Sequence, residues 1–403
     1  MLFLDDYKKL PDSKVLLIPI LQDSKKHYTQ TQISFIYIFG LETYQEQILN
    51  LTHNDCLRRE ISILNDFLGK DVYCYKKKYL SDYGANLRVY EAELVYWFET
   101  NKRLEVNVPN EIRQYWNWYS EFENINDCVP IMKWIEYCRE VKDRFLMQYK
   151  KFELTESFLK YNELLTNLEK IERNGVGSEL CEYNPFTLTG RPSNHFNGIN
   201  YAALNKSDGS RKRFVSRHKK GFLVEVDLSG FHLYLIYTIL GLKFPESIYD
   251  DLKKYYPKDE DPKTYTFKQI YGGITKELQG IEPFRSISNL SKNTFLKYKT
   301  GNLKTFLYDR PIKSDIIEGD NQTKIFNYML QNLETEFNNE LLTKIHLYLS
   351  DKSTKFILYT YDSFLFDYDM ADGNILGEIV NLFEDIPLHI KAGLNYHEML
   401  LRN

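Results

Sequence analysis

The chain has 403 residues and a net charge of −4, and it is rich in aromatics, with 32 tyrosines and 25 phenylalanines; that length suffices for two or three domains with cores of their own. No apolar run approaches the roughly 18–20 residues needed to span a bilayer, and the opening MLFLDDYKKLPD lacks the basic and apolar regions of a secretory signal. Five cysteines without CxxC spacing argue against a disulfide framework and for reduced thiols, so a cytoplasmic protein with no membrane partner is expected.

Between Lys14 and about Leu51 the runs VLLIPIL, ISFIYIF and QILNL are β-prone and separated by polar turns. A mixed region follows to about Lys102. From Glu111 to Arg173 apolar residues recur every three or four positions, as in IMKWIEYCREVKDRFLMQY and FLKYNELLTNLEKIE, which predicts helices stopping at Asn174-Gly175. The connector NPFTLTGRPSNHFNGINYAAL leads to a strand ending at Asp227, and GFHLYLIYTILG reads as a helix closing at Gly241. Asp261 as N-cap, Pro262 at the first helical position and Gly272-Gly273 as a stop bound a short helix over TYTFKQIY. A longer helix covers KIFNYMLQNLETEFNNELLTKIHLYL. A hairpin with Asp362 in its turn and a last strand in PLHIKAGLNY complete an α+β pattern with an antiparallel sheet. The basic clusters Arg211-Lys212-Arg213, Arg217 with Lys219-Lys220, and Lys76-Lys77-Lys78 read singly as solvated loops.

Asp227 and Asp362 each end an apolar, β-prone run. A carboxylate leaving a buried strand is held rigidly yet faces solvent, and two brought together suit a hard divalent cation such as Mg²⁺. Such a pair serves in-line displacement at phosphorus. Alone, each aspartate is more often a helix cap or turn residue than a metal ligand.

Taken in order from about Asn184 to Met399, TLTGRPSN, VDLSGFHLYL, KTYTFKQIYGG, TFLYDRP, NYMLQ, LYTYDSFLF and IPLHIKAGLNYHEM resemble the polymerase domain of family A DNA polymerases, the group of bacterial DNA polymerase I and many phage replicases. The resemblance implies an α+β right-hand polymerase: a palm with an antiparallel sheet, helical fingers and thumb, preceded by a small α/β exonuclease-like (RNase H-like) domain. The implied divisions are 1–105 for a degenerate 3′–5′ exonuclease-like domain, 106–180 for the thumb, and 181–403 for palm and fingers, with the fingers at about 242–325.

The activity so implied is extension of a primer 3′-hydroxyl with dNTPs on primer-template DNA. Asp227, Asp362 and the Leu228 carbonyl would hold two Mg²⁺ ions, with Mn²⁺ as an alternative, and Lys263 would serve the phosphates and the leaving group. Lys263, Phe267 and Tyr271 lie at i, i+4 and i+8, hence on one helix face; Phe267 and Tyr271 would meet the incoming nucleotide. Arg191 and Asn200 would contact the duplex, and Arg310, Asn327 and Gln331 its minor groove. The chain departs from the family pattern at His232, which replaces the glutamate that blocks a ribose 2′-hydroxyl, and at Tyr234 and Asp259, each in place of an arginine. Lys258 is the nearest cation to serve the phosphates instead. Tyr361 and Ser363 replace a histidine and a glutamate. The first β-run lacks the DxE pair of active exonucleases, and Asp5 and Asp6 come too early to replace it, so proofreading is not expected. A separate exonuclease or processivity factor would be a partner, and phage or mobile-element replication the setting. Two alternatives stay open: a polymerase with relaxed sugar choice, and a catalytically silent DNA-binding subunit.

Overall fold

The structure, a computed structural model, describes residues 8–83, 86–176, 179–196, 199–314 and 316–402, so Asp5 and Asp6 lie outside the described residues. The chain divides into two compact units, Met1–Asn162 and Glu163–Asn403. Among the described residues no helix is long and apolar enough to cross a membrane.

The first unit holds a mixed sheet of β1 (Lys14–Leu21), β2 (Ile33–Gly40), β3 (Glu46–Asn50), β4 (Asp71–Cys74) and β5 (Arg88–Glu91) in the order β3-β2-β1-β4-β5. The β1–β2 and β2–β3 pairs are antiparallel; β1–β4 and β4–β5 are parallel. Both faces are covered, which is why β1 and β2 read as continuous apolar runs instead of alternating. One face packs Val15, Leu17, Ile36, Ile38 and Val72 against Leu64 and Phe67. Helices α1 (Ala92–Thr100), α2 (Asn110–Trp118) and α3 (Ile131–Tyr149) follow. On α3, Trp134, Ile135, Cys138, Val141 and Phe145 form a buried stripe. Tyr73 of β4 meets Phe145 and Tyr149 at ring separations of 5.7 and 5.1 Å, and Arg139 and Lys142 both reach Glu46 of β3, at 2.7 and 2.9 Å.

The expected separate helical body over 106–180 therefore needs correction. Helices α2 and α3 stay with the N-terminal sheet because the α3 stripe requires that cover, and the division falls inside α4 (Glu156–Asn174), not at 105 or 180. Two basic clusters also turn out to be partly internal. Lys77 is buried and donates to the Asn162 carbonyl at 2.8 Å, and Arg211 is buried with its guanidinium on the Leu204 carbonyl at 2.9 Å.

The second unit opens with the short strands β6 (Tyr183–Asn184), β7 (Ser193–Phe196) and β8 (Ile199–Asn200), then β9 (Gly221–Leu228). Helices α5 (Phe231–Ile239), α6 (Ile248–Lys253), α7 (Pro262–Gly272), α8 (Phe284–Lys299) and α9 (Gln322–Tyr348) follow. The chain returns through β10 (Lys355–Thr360), β11 (Ser363–Asp369), α10 (Leu376–Asn381), β12 (Leu388–Gly393) and β13 (Leu400–Arg402). The main sheet runs β10-β11-β9-β12-β13, antiparallel throughout, with β9 at its centre. Helix α7 starts as expected: the Asp261 carboxylate accepts the Thr264 N–H at 2.8 Å, and Gly273 (φ 101°) ends it. Helix α8 gave no apolar period in the sequence because its buried face includes Ser288, Ser291 and Thr294.

On α9, His346 donates from Nε2 to the Asn167 carbonyl of α4 at 2.9 Å and packs against Phe356 of β10. Burial, reinforced by the Lys170 charge, lowers its pKa to about 4. The unfolded chain therefore takes up a proton that the folded chain refuses. Stability should be intact above pH ~6.5 and fall toward pH ~4, by on the order of 2–3 kcal/mol from this group. Urea unfolding across that range should show the loss in the wild type and a flatter acid limb in His346→Gln.

Candidate active site

Asp227 is the penultimate residue of β9, and the register places Ser363 of β11 on one side of it and His389 of β12 on the other. Asp362 sits in the two-residue turn between β10 and β11, made possible by the left-handed backbone of Tyr361 (φ 65°). The Leu228 N–H donates to the Asp362 carbonyl at 2.7 Å and the Ser229 N–H to the Pro387 carbonyl at 2.7 Å. The hairpin turn is thereby fastened to the exit of β9, and both aspartates line one cleft.

The electrostatics of that cleft are strained. Burial, then the charges of Glu334 and Asp227, push the Asp362 carboxyl up to about 6, although the residue is exposed at the turn. Burial also raises Asp227, with Glu225 adding to the rise and Lys391 opposing it. Two carboxylates lining one concave site are a donor set that a divalent cation would relieve. Among the described residues no group of three or more His, Cys, Asp or Glu side chains gathers in metal-binding geometry.

Helix α7 presents the other wall. Lys263, Phe267 and Tyr271 line the same cleft as the aspartates. The Phe267 and Tyr271 rings stack at 5.6 Å and 27°, and Lys263 Nζ lies 6.0 Å from the Phe267 centroid. Burial pushes the Tyr271 phenol up, so it stays neutral.

Between the walls stands a residue the sequence reading missed. Glu334 of α9 is 1 % exposed and accepts from Arg191 Nε at 3.0 Å and Nη2 at 2.9 Å, and contacts His232 Nε2 at 2.6 Å. His232 Nδ1 in turn meets the Tyr271 hydroxyl at 2.7 Å, and the Arg191 guanidinium lies 3.7 Å over the Tyr361 ring. Burial alone would raise the Glu334 carboxyl, but His232 and Arg191 outweigh it and hold it below its ordinary value. The signal was periodicity: Asn327, Gln331, Glu334 and Asn338 recur at four, three and four residues, along one face of α9. Asn338 Nδ2 donates to the Tyr361 carbonyl at 2.8 Å, tying the same helix to the hairpin turn.

Of the other expected residues, Leu228 and His232 lie at the cleft. Asn327 Nδ2 donates to the Tyr271 carbonyl at 3.2 Å, and Gln331 is half-buried one turn further along α9. Lys258 is exposed in the turn before α7 and is not among the residues around the aspartates. Asn200 is exposed, caps a short turn by accepting the Ala203 N–H at 3.3 Å, and borders a different cleft with Lys212 and Arg213. Arg310 needs correction. It is 0 % exposed, its Nη2 donates to Asn332 Oδ1 at 2.5 Å and its N–H to Thr305 Oγ1 at 2.9 Å, so its guanidinium is enclosed by protein and not offered at the surface. Glu225, His389 and Lys391, also near Asp227, were not foreseen.

No protein-family model matches this sequence, and no curated protein does. Among solved structures, the POL domain of Pol1 from M. smegmatis, in complex with DNA primer-template and dNTP, is similar at a TM-score of 0.61 and 11% identity, with 96% of each chain covered. The chain has the mixed α+β fold of that polymerase domain.

Removing one member of a buried charged group leaves the others unpaired, at a cost of about 3–5 kcal/mol. Glu334→Ala should lose stability of that order in urea unfolding, and Glu334→Gln less, because the amide oxygen still accepts from Arg191. A loss below about 1 kcal/mol in Glu334→Ala would show that the group is not structural.

Proposed function

We propose that this protein is a template-directed DNA polymerase that extends a primer 3′-hydroxyl with dNTPs by nucleotidyl transfer, without proofreading. The observation that carries the proposal is the meeting, in one cleft, of two strand-end carboxylates with the Lys263–Phe267–Tyr271 face of α7. The fold shared with a polymerase domain solved on primer-template and dNTP supports the same reading.

Asp227, Asp362 and the Leu228 carbonyl are the groups that would hold two Mg²⁺ ions, or Mn²⁺, and when bound these ions supply an activated primer oxygen and charge neutralisation on the transferred phosphoryl group. Lys263, exposed at the start of α7, can reach a triphosphate, offset its charge and donate a proton to the departing pyrophosphate. Phe267 and Tyr271 offer a stacked aromatic surface to the incoming base. His232, held between Glu334 and Tyr271, would fill the place beside the sugar. Gln331 and Asn327 would face the minor groove, whose acceptors are shared among base pairs and so report geometry rather than sequence. Arg191, engaged by Glu334 and Tyr361, supports the wall of the cleft beside the duplex.

In this reading the antiparallel sheet is the palm, α6 to α8 belong to the fingers, and α4 is the part of the helical stretch left to act as thumb. The strand order of the first unit supports an RNase H-like, exonuclease-derived domain, and the wholly apolar β1 run supports its lack of proofreading. A separate exonuclease or processivity factor would then act in trans, in the cytoplasm, during replication of a phage-like element.

Primer extension on a recessed duplex with Mg²⁺ tests the proposal. The wild type should add templated dNTPs, Asp227→Ala should lose at least ~10³-fold in rate while melting like the wild type, and Lys263→Ala should lose about 10²-fold. Retained extension in Asp227→Ala would contradict the metal assignment. Equal use of rNTPs would favour the relaxed-sugar reading, and duplex binding without extension the silent subunit.

A further inference from the structure

Beneath Asp227 lies a second charged pair for which the proposed chemistry has no role. Glu225, two residues earlier on the same face of β9, is 3 % exposed. It accepts from Ser363 Oγ at 3.1 Å and Tyr396 Oη at 3.1 Å on one oxygen, and from Lys391 Nζ at 3.0 Å on the other. Its acceptors are engaged by protein, so it is a counter-ion and not a further metal ligand. The register fixes the arrangement, since Lys391 of β12 stands directly opposite Glu225 in the centre of the sheet. Burial would raise the Glu225 carboxyl, but Lys391, together with the Lys206 charge and the Ser363 hydroxyl, holds it below its ordinary value.

The same ammonium lies 3.9 Å from Asp227 Oδ2. Glu225 therefore anchors a positive charge at the flank of the candidate metal ligand, while Lys391, with its side chain 29 % exposed, retains room to move. We propose that Lys391, anchored by Glu225, is a tethered counter-cation that steadies Asp227 in the metal-free site and sets the divalent-ion affinity of the cleft. The assignment rests on the metal-binding reading of Asp227 and Asp362 given above. Lys391 is a positioning residue that acts through Asp227. Its charge opposes an arriving cation, and the buried Glu225 charge limits that opposition by holding the ammonium back.

The two members of the pair should act with opposite sign, which a merely structural pair would not do. Mn²⁺ binding to the full chain, without DNA, can be followed by electron paramagnetic resonance at pH 7.5. Removing the positive charge in Lys391→Met should tighten Mn²⁺ binding on the order of tenfold. Glu225→Gln should weaken it several-fold, because the released ammonium is left with Asp227 alone, and Lys391→Arg should stay near the wild type. If Lys391→Met does not fold, the weakening in Glu225→Gln still decides. Saturable binding that is lost in Asp362→Asn but unmoved, or moved in the same direction, by the two pair variants would overturn the counter-cation and leave the metal site standing. Binding indifferent to Asp362→Asn would overturn the metal site and the counter-cation with it.

Discussion

A single backbone hydrogen bond, from the Leu228 N–H to the Asp362 carbonyl at 2.7 Å, ties together the two aspartate-bearing segments of the cleft. Two carboxylates whose charges repel would drift apart if either sat on a free loop. Here one leaves the central strand of the sheet, and the other occupies a tight turn fastened to that strand. The frame is rigid because Leu223, Val224 and Val226 of β9 are fully buried, each contributing about 1.5–3 kcal/mol through burial. The sheet thus supplies the energy that keeps an electrostatically unfavourable pair together, and a divalent ion is the species that would relieve it.

The surrounding polar groups follow the same logic. Helix α9 is 27 residues long and carries a polar stripe into the protein, with Glu334 joining Arg191 and His232, and Asn338 holding the hairpin turn. Buried charges on that scale are tolerated only when each finds a partner. Glu334 links the TGR connector, α5 and α9, and through His232 it reaches Tyr271 on α7. The two walls of the cleft are therefore coupled through one carboxylate. On the other side of Asp227, Glu225 and Lys391 form a second compensated pair. The aspartates sit between these two groups, and the carboxyl pKa of each is raised by burial.

Much of this was legible in the sequence where local physics decides. The Asp261-Pro262 cap, the Gly272-Gly273 stop, the central β9 run and the hairpin around Asp362 all formed as read, and the i, i+4, i+8 spacing did bring Lys263, Phe267 and Tyr271 to one face. What the sequence hid was set by tertiary partners. The spacing of Asn327, Gln331, Glu334 and Asn338 marks a polar face of α9, but nothing local shows that Glu334 is buried against Arg191 and His232. Arg310 reads as a minor-groove contact in the sequence because nothing local reveals Asn332 as its partner. Helix α8 buries serines and threonine, which erased its apolar period, and the α3 stripe was visible but not the sheet it covers. Glu225 and Lys391 are 166 residues apart and meet only through strand register.

The most direct test of the central claim is a crystal structure with primer-template, a non-hydrolysable dNTP and Mn²⁺, read by anomalous scattering. The account predicts metal density bridging the Asp227 and Asp362 carboxylates at ordinary metal–oxygen distances of about 2.0–2.3 Å, with the triphosphate against Lys263. Nucleotide bound elsewhere, or metal density away from that pair, would contradict it.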